Sequence, residues 1–398
     1  MNDEVFKHFD DYCCVFKLVN MAVNNQNDDV DYLNVNWNNV FNLSKTLTFV
    51  TLVKKGIELL CGENQPDETV KKAFASEFKK QVIIDSNQLY ELELMKNGFE
   101  KNSIDMMLLK GSCIKNIYDE TFLRYMGDID TYVRRDDFDK ANDVLTNLGY
   151  RMECDGGHDR LYIKEPFICL EQHFSLDDSK SQNIINYFET VWERGVVKSG
   201  YSHIYEMTPE DLYIYLSIHA IHHLDHAGIA PRIFLDYYVF LEKYNNSLNM
   251  EYINRTLEEF GYREFDKIAV SLAYKWFGKN GTGLDKNNKL DLFVASCSAY
   301  GTVEHNVGIR TAKMVADGEK ASKLTFLLKQ LFPAYDHIQM QFPVLKKCPL
   351  LLPVVWVVYI VEKVRNAKTI RYYKNINNET AEQYNEIISE LGLANRND

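Results

Sequence analysis

Positive charge is scarce in this sequence of 398 residues. Lys and Arg total 45 against 57 Asp and Glu, so the formal net charge is −12. Proteins that bind a long nucleic acid neutralise many phosphates with Lys and Arg, and this charge balance argues against a broad groove of that kind. A small-molecule substrate or a protein acceptor fits the balance better.

Paired cysteines and long apolar runs are also missing. The eight cysteines form no CxxC pair, and nothing near Met1 resembles a cationic segment followed by an apolar one. We therefore expect reduced thiols in a cytoplasmic protein. The strongest apolar run, PLLLPVVWVVYIV at 349–361, is too short to span a bilayer and contains Pro353. It predicts a buried helix and no transmembrane segment, with an anchor on a membrane surface as the alternative.

The pattern of apolar residues changes twice along the chain. Apolar positions recur at helical spacing up to about residue 100 and again from Thr208, while the Asn- and Asp-rich interval 24–36 predicts a loop. Between them, the runs IDMMLLKG, DIDTYV, LYIKEP and FICLEQHFSL predict strands, and DDFDKANDVLTNLGY predicts a helix. The predicted fold is α+β, with an N-terminal helical region at 1–100, a small mixed-sheet domain at 101–206 and a C-terminal helical domain at 207–398.

Two acids one residue apart, Asp128 and Asp130, occur in the apolar run DIDTYV. In a strand, alternate side chains share a face, so both carboxylates would point the same way while Ile129 packs on the other side. Two such carboxylates repel each other unless a cation lies between them. A hard divalent cation such as Mg²⁺ fits, because it prefers a few carboxylates together with phosphate oxygens. The alternative is a strand edge or turn with two solvated acids.

Lys110, Gly111 and Ser112 join a predicted strand to the predicted helical segment CIKNIYD. A glycine there lets the backbone come close to a ligand, and free N–H groups at a helix start face an anion. The junction therefore predicts a phosphate site, although the GxxxxGK[ST] order of a P-loop is absent. Strand-Gly-helix junctions are also common in proteins, and in that case Lys110 is only a solvated charge.

A third acid, Glu171, occurs in ICLEQHFSL and shares a face of the predicted strand with His173. An acid between the apolar residues Leu170 and Phe174 is unexpected in a strand unless it is paired or binds a metal. The alternative is an edge strand whose acid faces water.

In this order, these motifs resemble the nucleotidyltransferase superfamily that includes DNA polymerase β. The longer patterns LLKGSCIKNIYDETFLRYMGDIDTYV, LEQHFSL, HAIHHLDHAGIAPRIFLDYYVFL and LFPAYDHIQMQFPVLKKCPLLLPVVW resemble the uncharacterised nucleotidyltransferase family found largely in bacteria, over roughly residues 30–370. Two departures exist. Thr131 and Tyr132 replace the usual apolar pair after DID, and the spacing from Ser112 to Asp128 exceeds the superfamily's usual gap, although it agrees with this family.

The resemblance implies that Gly111 and Ser112 hold a triphosphate, that Asp128 and Asp130 bind metal ions, and that Glu171 shares a metal or activates the acceptor. The implied reaction transfers NMP from an NTP to a hydroxyl or similar group of a small molecule or protein and releases pyrophosphate, with Mg²⁺ or Mn²⁺ as cofactor. A nucleotide-binding or regulatory module without turnover is the alternative. Further residues that we expect to contact the nucleotide are Lys110, Arg124, His173, His219, His222, Arg232 and Asp236.

Lys110 and Arg124 are the cations nearest to these motifs and could neutralise phosphate oxygens. Arg124 could equally pair with Asp119 or Glu120 and close a loop. Both interpretations of Arg124 remain open from the sequence.

The segment HAIHHLDHAG contains four histidines at helical spacing. A zinc site is one interpretation, but HExxH is absent and no cysteine is close. The other is a helix packed near the cleft, whose polar residues face the nucleotide or acceptor or satisfy one another. The residues concerned are His219, His222, His223, His226, Arg232 and Asp236.

Overall fold

A computed structural model describes residues 3–27, 35–156, 159–166, 168–176, 181–299, 301–316, 331–333, 335, 338, 342, 344–365 and 378–393. Part of the predicted loop at 24–36 and part of the LFPAYDHIQMQFPVLKKC motif lie outside these residues. The chain divides into two compact units, the first formed by 1–220, 230–299 and 391–398 and the second by 221–229 and 300–390. The predicted three-part division into domains stays a prediction.

The described residues up to Lys101 are mostly helical, as their apolar spacing predicts. Two helices begin at side-chain caps: Asn36 accepts from the N–H groups of Asn38 and Asn39, and Asp67 accepts from those of Thr69 and Val70. The helices are α1 (Asp3–Lys7), α2 (Phe9–Asn24), α3 (Trp37–Thr46), α4 (Val50–Leu59) and α5 (Glu68–Lys101).

A mixed sheet with the strand order β3-β4-β5-β2-β1-β7-β6 follows α5. β2 pairs antiparallel with β1 and parallel with β5. The fully buried Ile129 and Leu170 lie level with each other in β2 and β5 and belong to the core beneath the sheet. The strands are β1 (Met106–Leu108), β2 (Ile129–Val133), β3 (Arg151–Asp155), β4 (Asp159–Lys164), β5 (Ile168–His173), β6 (Val196–Val197) and β7 (Ile204–Glu206).

This architecture confirms the predicted α+β class, and the four predicted strands correspond to β1, β2, β4 and β5. The sequence pattern missed β3, β6 and β7. All five residues of β3 are exposed, so its short alternation of Met152 and Cys154 with charged residues buries no face of the strand.

Helices resume within and after the sheet region. α10 begins where the Thr208 hydroxyl accepts a hydrogen bond from the N–H of Asp211 at 3.1 Å, a typical helix cap. The helices of this part are α6 (Lys110–Ile114), α7 (Phe138–Asn147), α8 (Gln182–Glu189), α9 (Val191–Arg194), α10 (Pro209–Ala227), α11 (Pro231–Tyr244), α12 (Met250–Glu259), α13 (Arg263–Phe277) and α14 (Lys289–Ser296).

The later helices are α15 (Val303–Ala316), α16 (Val344–Lys347), α17 (Leu352–Arg365) and α18 (Asn378–Glu390). The apolar run 349–361 predicts a buried helix, and this prediction is wrong because much of the surface of the run is exposed. Val355 and Tyr359 are buried, whereas Val354 and Val357 are exposed, because only one face of α17 packs on a small core with Ile338. None of the helices within the described ranges is long and apolar enough to cross a membrane.

Candidate active site

Two of the three predicted acids lie side by side on neighbouring parallel strands. Asp130 of β2 is level with Glu171 of β5, and level residues of a parallel pair point to the same side of the sheet. The alternative of solvated acids on a strand edge is thereby wrong, since β2 and β5 lie inside the sheet. Asp128 is half-buried and lies just before the first residue of β2.

Lys110 and His173 both reach Asp130. The Lys110 ammonium donates a hydrogen bond to Asp130 Oδ1 at 2.8 Å. The backbone of Lys110 has a left-handed φ of 37°, which is uncommon for a residue other than glycine. His173 Nε2 lies 3.3 Å from the same oxygen and 3.7 Å from Glu171 Oε2. Lys110 is therefore not a solvated charge, because it is the direct partner of a buried acid.

The three carboxylates differ in their pKa. Burial raises the pKa of Asp130, but the charge of Lys110 and the hydrogen bond from His173 outweigh it, so the net shift is downward. Burial, followed by the charges of Asp130 and Asp128, raises the pKa of Glu171 to about 7. Burial and then the charge of Asp130 also raise the pKa of Asp128. The site thus holds more negative charge than its own cations neutralise.

The donor atoms of Asp130, Glu171 and His173 lie within 4.8 Å of one another, so together they could hold a metal ion. Two carboxylate oxygens and one imidazole nitrogen are donors that divalent metals accept. The uncompensated charge of Glu171 and Asp128 also fits a bound cation. We predicted Asp128, Asp130 and Glu171 as ligands, and the ligand roles of all three stay predictions.

Gly111 and Ser112 are both buried in α6. A side chain at Gly111 would come within 2.8 Å of Arg124 Nη1 and 2.9 Å of Met126 Cγ, so the residue must be small because protein atoms cover it. The N–H of Ser112 already donates to the Leu109 carbonyl at 3.0 Å. That these two residues hold a triphosphate stays a prediction.

Arg124 pairs with neither of its predicted partners, Asp119 and Glu120. Its Nη2 donates to Asp236 Oδ2 at 2.8 Å, and its Nε donates to Asp236 Oδ1 at 3.3 Å, with both residues buried. The Tyr118 hydroxyl also donates to Asp236 Oδ1, at 2.8 Å. Asp236 was expected to face the nucleotide, but its two oxygens are used by Arg124 and Tyr118. Two of the predicted nucleotide contacts therefore bind each other.

Arg232, on α11, donates from Nη1 to the carbonyl of Tyr125 at 3.1 Å. Its charge lowers the pKa of Asp128, against the larger upward effects of burial and Asp130. Arg232 therefore lies within electrostatic reach of the acids, and its contact with a nucleotide stays a prediction.

The histidines of α10 do not form a metal cluster with other ligands among the described residues. In the first unit, His219 stacks near Tyr215 with ring centroids 6.3 Å apart. In the second unit, the rings of His222 and His226 lie 4.3 Å apart, and His226 Nδ1 lies 2.8 Å from the His222 carbonyl. The contacts of His219 and His222 with a nucleotide stay predictions.

Sequence reasoning missed several residues near the acids. Cys169 precedes Glu171 by two residues on β5, and burial followed by the charge of Asp128 raises the pKa of its thiol to about 11. Tyr215 is buried, and the charges of Lys110 and Asp130 both act on its pKa. Alternation within β5 could have identified Cys169, whereas the position of Tyr215 depends on packing between distant segments.

A cavity of about 370 Å³ opens beyond the acids, where β2 and β5 end. Tyr132 and Trp192 stack in its wall with ring centroids 4.9 Å apart, and Arg135 lies 4.9 Å above the ring of Phe174. Tyr132, which together with Thr131 departs from the family pattern, forms part of this cavity wall. The cavity combines aromatic rings with arginines at the ends of the two strands that carry Asp130 and Glu171.

Comparison with known proteins gives one match. Residues 34–278 match the family model described as an uncharacterised nucleotidyltransferase. Neither the curated proteins nor the solved structures include a match to this chain. The matched range covers more than half of the sequence and contains β2, β5 and the histidine-rich helix α10, so the chain belongs to the uncharacterised nucleotidyltransferase family.

Proposed function

We propose that the protein is a metal-dependent nucleotidyltransferase that moves NMP from an NTP to a hydroxyl of a small molecule or protein. The single observation that supports this most directly is the alignment of Asp130 with Glu171, next to Lys110 and His173. Three acids against one ammonium leave an excess of negative charge, which a bound Mg²⁺ or Mn²⁺ would neutralise. Family membership supports the transferase class.

Asp128, Asp130 and Glu171 would hold the metal, which when bound stabilises negative charge on the reacting phosphate. In the reaction, an acceptor oxygen forms a bond to the α-phosphorus while the bond to the β-phosphate oxygen breaks and pyrophosphate leaves. Glu171 would also take up the hydroxyl proton of the acceptor. A carboxylate has two oxygens, so one can bind the metal while the other accepts the proton.

The chain's cations would have separate tasks. Lys110 keeps Asp130 ionised and fixed at 2.8 Å, so we assign it to the organisation of the acids. Arg232 is the better candidate for a phosphate contact, because its charge acts on Asp128. The acceptor would lie in the cavity lined by Tyr132, Arg135 and Trp192, which continues from the same strands.

The first test is thermal unfolding with each of the four NTPs, with and without Mg²⁺ or Mn²⁺, in the wild type and in Asp130→Asn. A ligand that binds only the folded state raises the unfolding midpoint, so a metal-dependent rise with an NTP should occur and be lost in the variant. Asp139→Asn is the matched control, because that carboxylate is 93% exposed.

The second test follows label from an α-³²P-NTP into protein or small molecules. Asp130→Asn should lose about a thousandfold in rate or more, since transition-state charge stabilisation is typically the largest catalytic contribution. Full transfer by Asp130→Asn would contradict the proposal. Tight NTP binding by the wild type without pyrophosphate release under any acceptor would favour the nucleotide-binding module instead.

A further inference from the structure

His173 is the residue of the site whose partners are most informative. It ends β5 two residues after Glu171, so both side chains project from the same face of the strand. Its side chain is 12% exposed, and Nε2 lies between Asp130 Oδ1 at 3.3 Å and Glu171 Oε2 at 3.7 Å. A nitrogen between two carboxylate oxygens can fix the two side chains by hydrogen bonds, or it can bind a metal ion together with them.

The distances between the donor atoms of Asp130, Glu171 and His173 suit the binding of all three to one metal ion. Metal–ligand bonds of about 2.1 Å put adjacent ligands of an octahedral ion about 3.0 Å apart and opposite ligands about 4.2 Å apart. The three donor atoms lie within 4.8 Å of one another, so small side-chain movements would bring all three onto one ion. The parallel register of β2 and β5 fixes two of these residues on a shared backbone frame.

We infer that His173 is a metal ligand, and that this makes the site select Mn²⁺ over Mg²⁺. Mg²⁺ takes nearly all of its ligands from oxygen, whereas imidazole nitrogen suits the first-row transition metals. The inference rests on the metal site of the proposed function and specifies its metal. A site with Asp128, Asp130 and Glu171 alone would offer only oxygens, so the selectivity is assigned to this one side chain.

The alternative is that His173 positions Asp130 through a hydrogen bond and never touches the metal. His173→Gln separates the two roles, because its amide N–H₂ can still donate to a carboxylate but does not ligate like imidazole. His203→Gln is the matched control. His203 Nδ1 lies 2.8 Å from Asp105 Oδ1, which makes it a second histidine–carboxylate pair outside the acid cluster.

The experiment uses Mn²⁺ alone, added to metal-free full-length protein. Free Mn²⁺ is counted by electron paramagnetic resonance, and electron spin-echo modulation detects nitrogen bound to Mn²⁺. We expect imidazole nitrogen modulation in the wild type and its replacement by the ¹⁵N pattern in protein labelled with ¹⁵N-histidine, a readout that needs no variant. In His173→Gln the modulation should vanish and the Kd for Mn²⁺ should rise by about tenfold or more.

Competition with Mg²⁺ completes the test. The preference for Mn²⁺ should fall in His173→Gln and remain in His203→Gln. Bound Mn²⁺ without nitrogen modulation in the wild type, or no binding of Mn²⁺ at all, would overturn the inference. Nitrogen-bound Mn²⁺ without nucleotidyl transfer would sustain the inference and contradict the proposed function, so the two can fail separately.

Discussion

Two buried carboxylate clusters lie in the first unit, and they have opposite charge balances. The Asp236 cluster joins one carboxylate to one guanidinium and one phenol, so each oxygen has a partner. The Asp130 cluster sets three carboxylates against one ammonium and one imidazole. The members are Tyr118, Arg124 and Asp236 in the first, and Lys110, Asp128, Asp130, Glu171 and His173 in the second.

The difference fits a structural network in the first cluster and the proposed metal site in the second. Charges that are matched within the protein stabilise the fold and leave nothing for a ligand. An excess of one sign costs free energy until a counterion arrives, and such perturbed acids concentrate at functional sites. Both clusters contain residues that we predicted as nucleotide contacts, and only charge balance distinguishes them.

The largest effect should come from breaking the matched cluster. Asp236→Asn leaves the buried Arg124 without its counterion, and we expect the free energy of unfolding to fall by about 3–5 kcal/mol. Urea denaturation measures this, with Glu58→Gln as the control, because Glu58 pairs with Lys54 at 2.7 Å but is 60% exposed. Equal losses in both variants would show that the buried pair contributes no more to the free energy of unfolding than an exposed ion pair does.

An opposite and smaller effect is expected in the unmatched cluster. In metal-free protein, Glu171→Gln removes a repelled charge and should raise the free energy of unfolding by about 1–2 kcal/mol at about pH 8. The folded pKa of Glu171 is raised from 4.5 to about 7, so wild-type stability is lost as the pH rises through that range.

The gain in Glu171→Gln should therefore be smaller at about pH 5 than at about pH 8. Thermal unfolding in the presence of a chelator measures both. Added Mn²⁺ should then stabilise the wild type more than the variant. A variant that is less stable than the wild type at about pH 8 would contradict the excess of negative charge.

The smallest effect concerns the phenol of the matched cluster. Tyr118→Phe removes one hydrogen bond to Asp236 while Arg124 still neutralises that carboxylate. We expect a loss of about 1 kcal/mol by urea denaturation, well below that of Asp236→Asn. A loss as large as that of Asp236→Asn would mean that the phenol, and not the guanidinium, satisfies the acid.

Much of the sheet domain could be predicted because its pattern is local. Period-two alternation placed Asp130 on one face of β2 and Glu171 with His173 on one face of β5, and the structure has both arrangements. The exposed β3 alternates only Met152 and Cys154 with charged residues, buries neither of them, and was missed. The half-exposed α17 was predicted as buried, since its apolar residues surround the whole helix and do not reveal which face is packed.

The sequence by itself determined the family, the α+β class and the shared strand face of Glu171 and His173, because neighbouring residues and their spacing encode these features. Only the tertiary structure decided that Asp130 lies beside Glu171, that Arg124 binds Asp236 instead of a phosphate, and that Gly111 is covered by protein. Strand register and ion pairing across more than a hundred residues depend on how whole elements pack, and a local sequence pattern does not encode that packing.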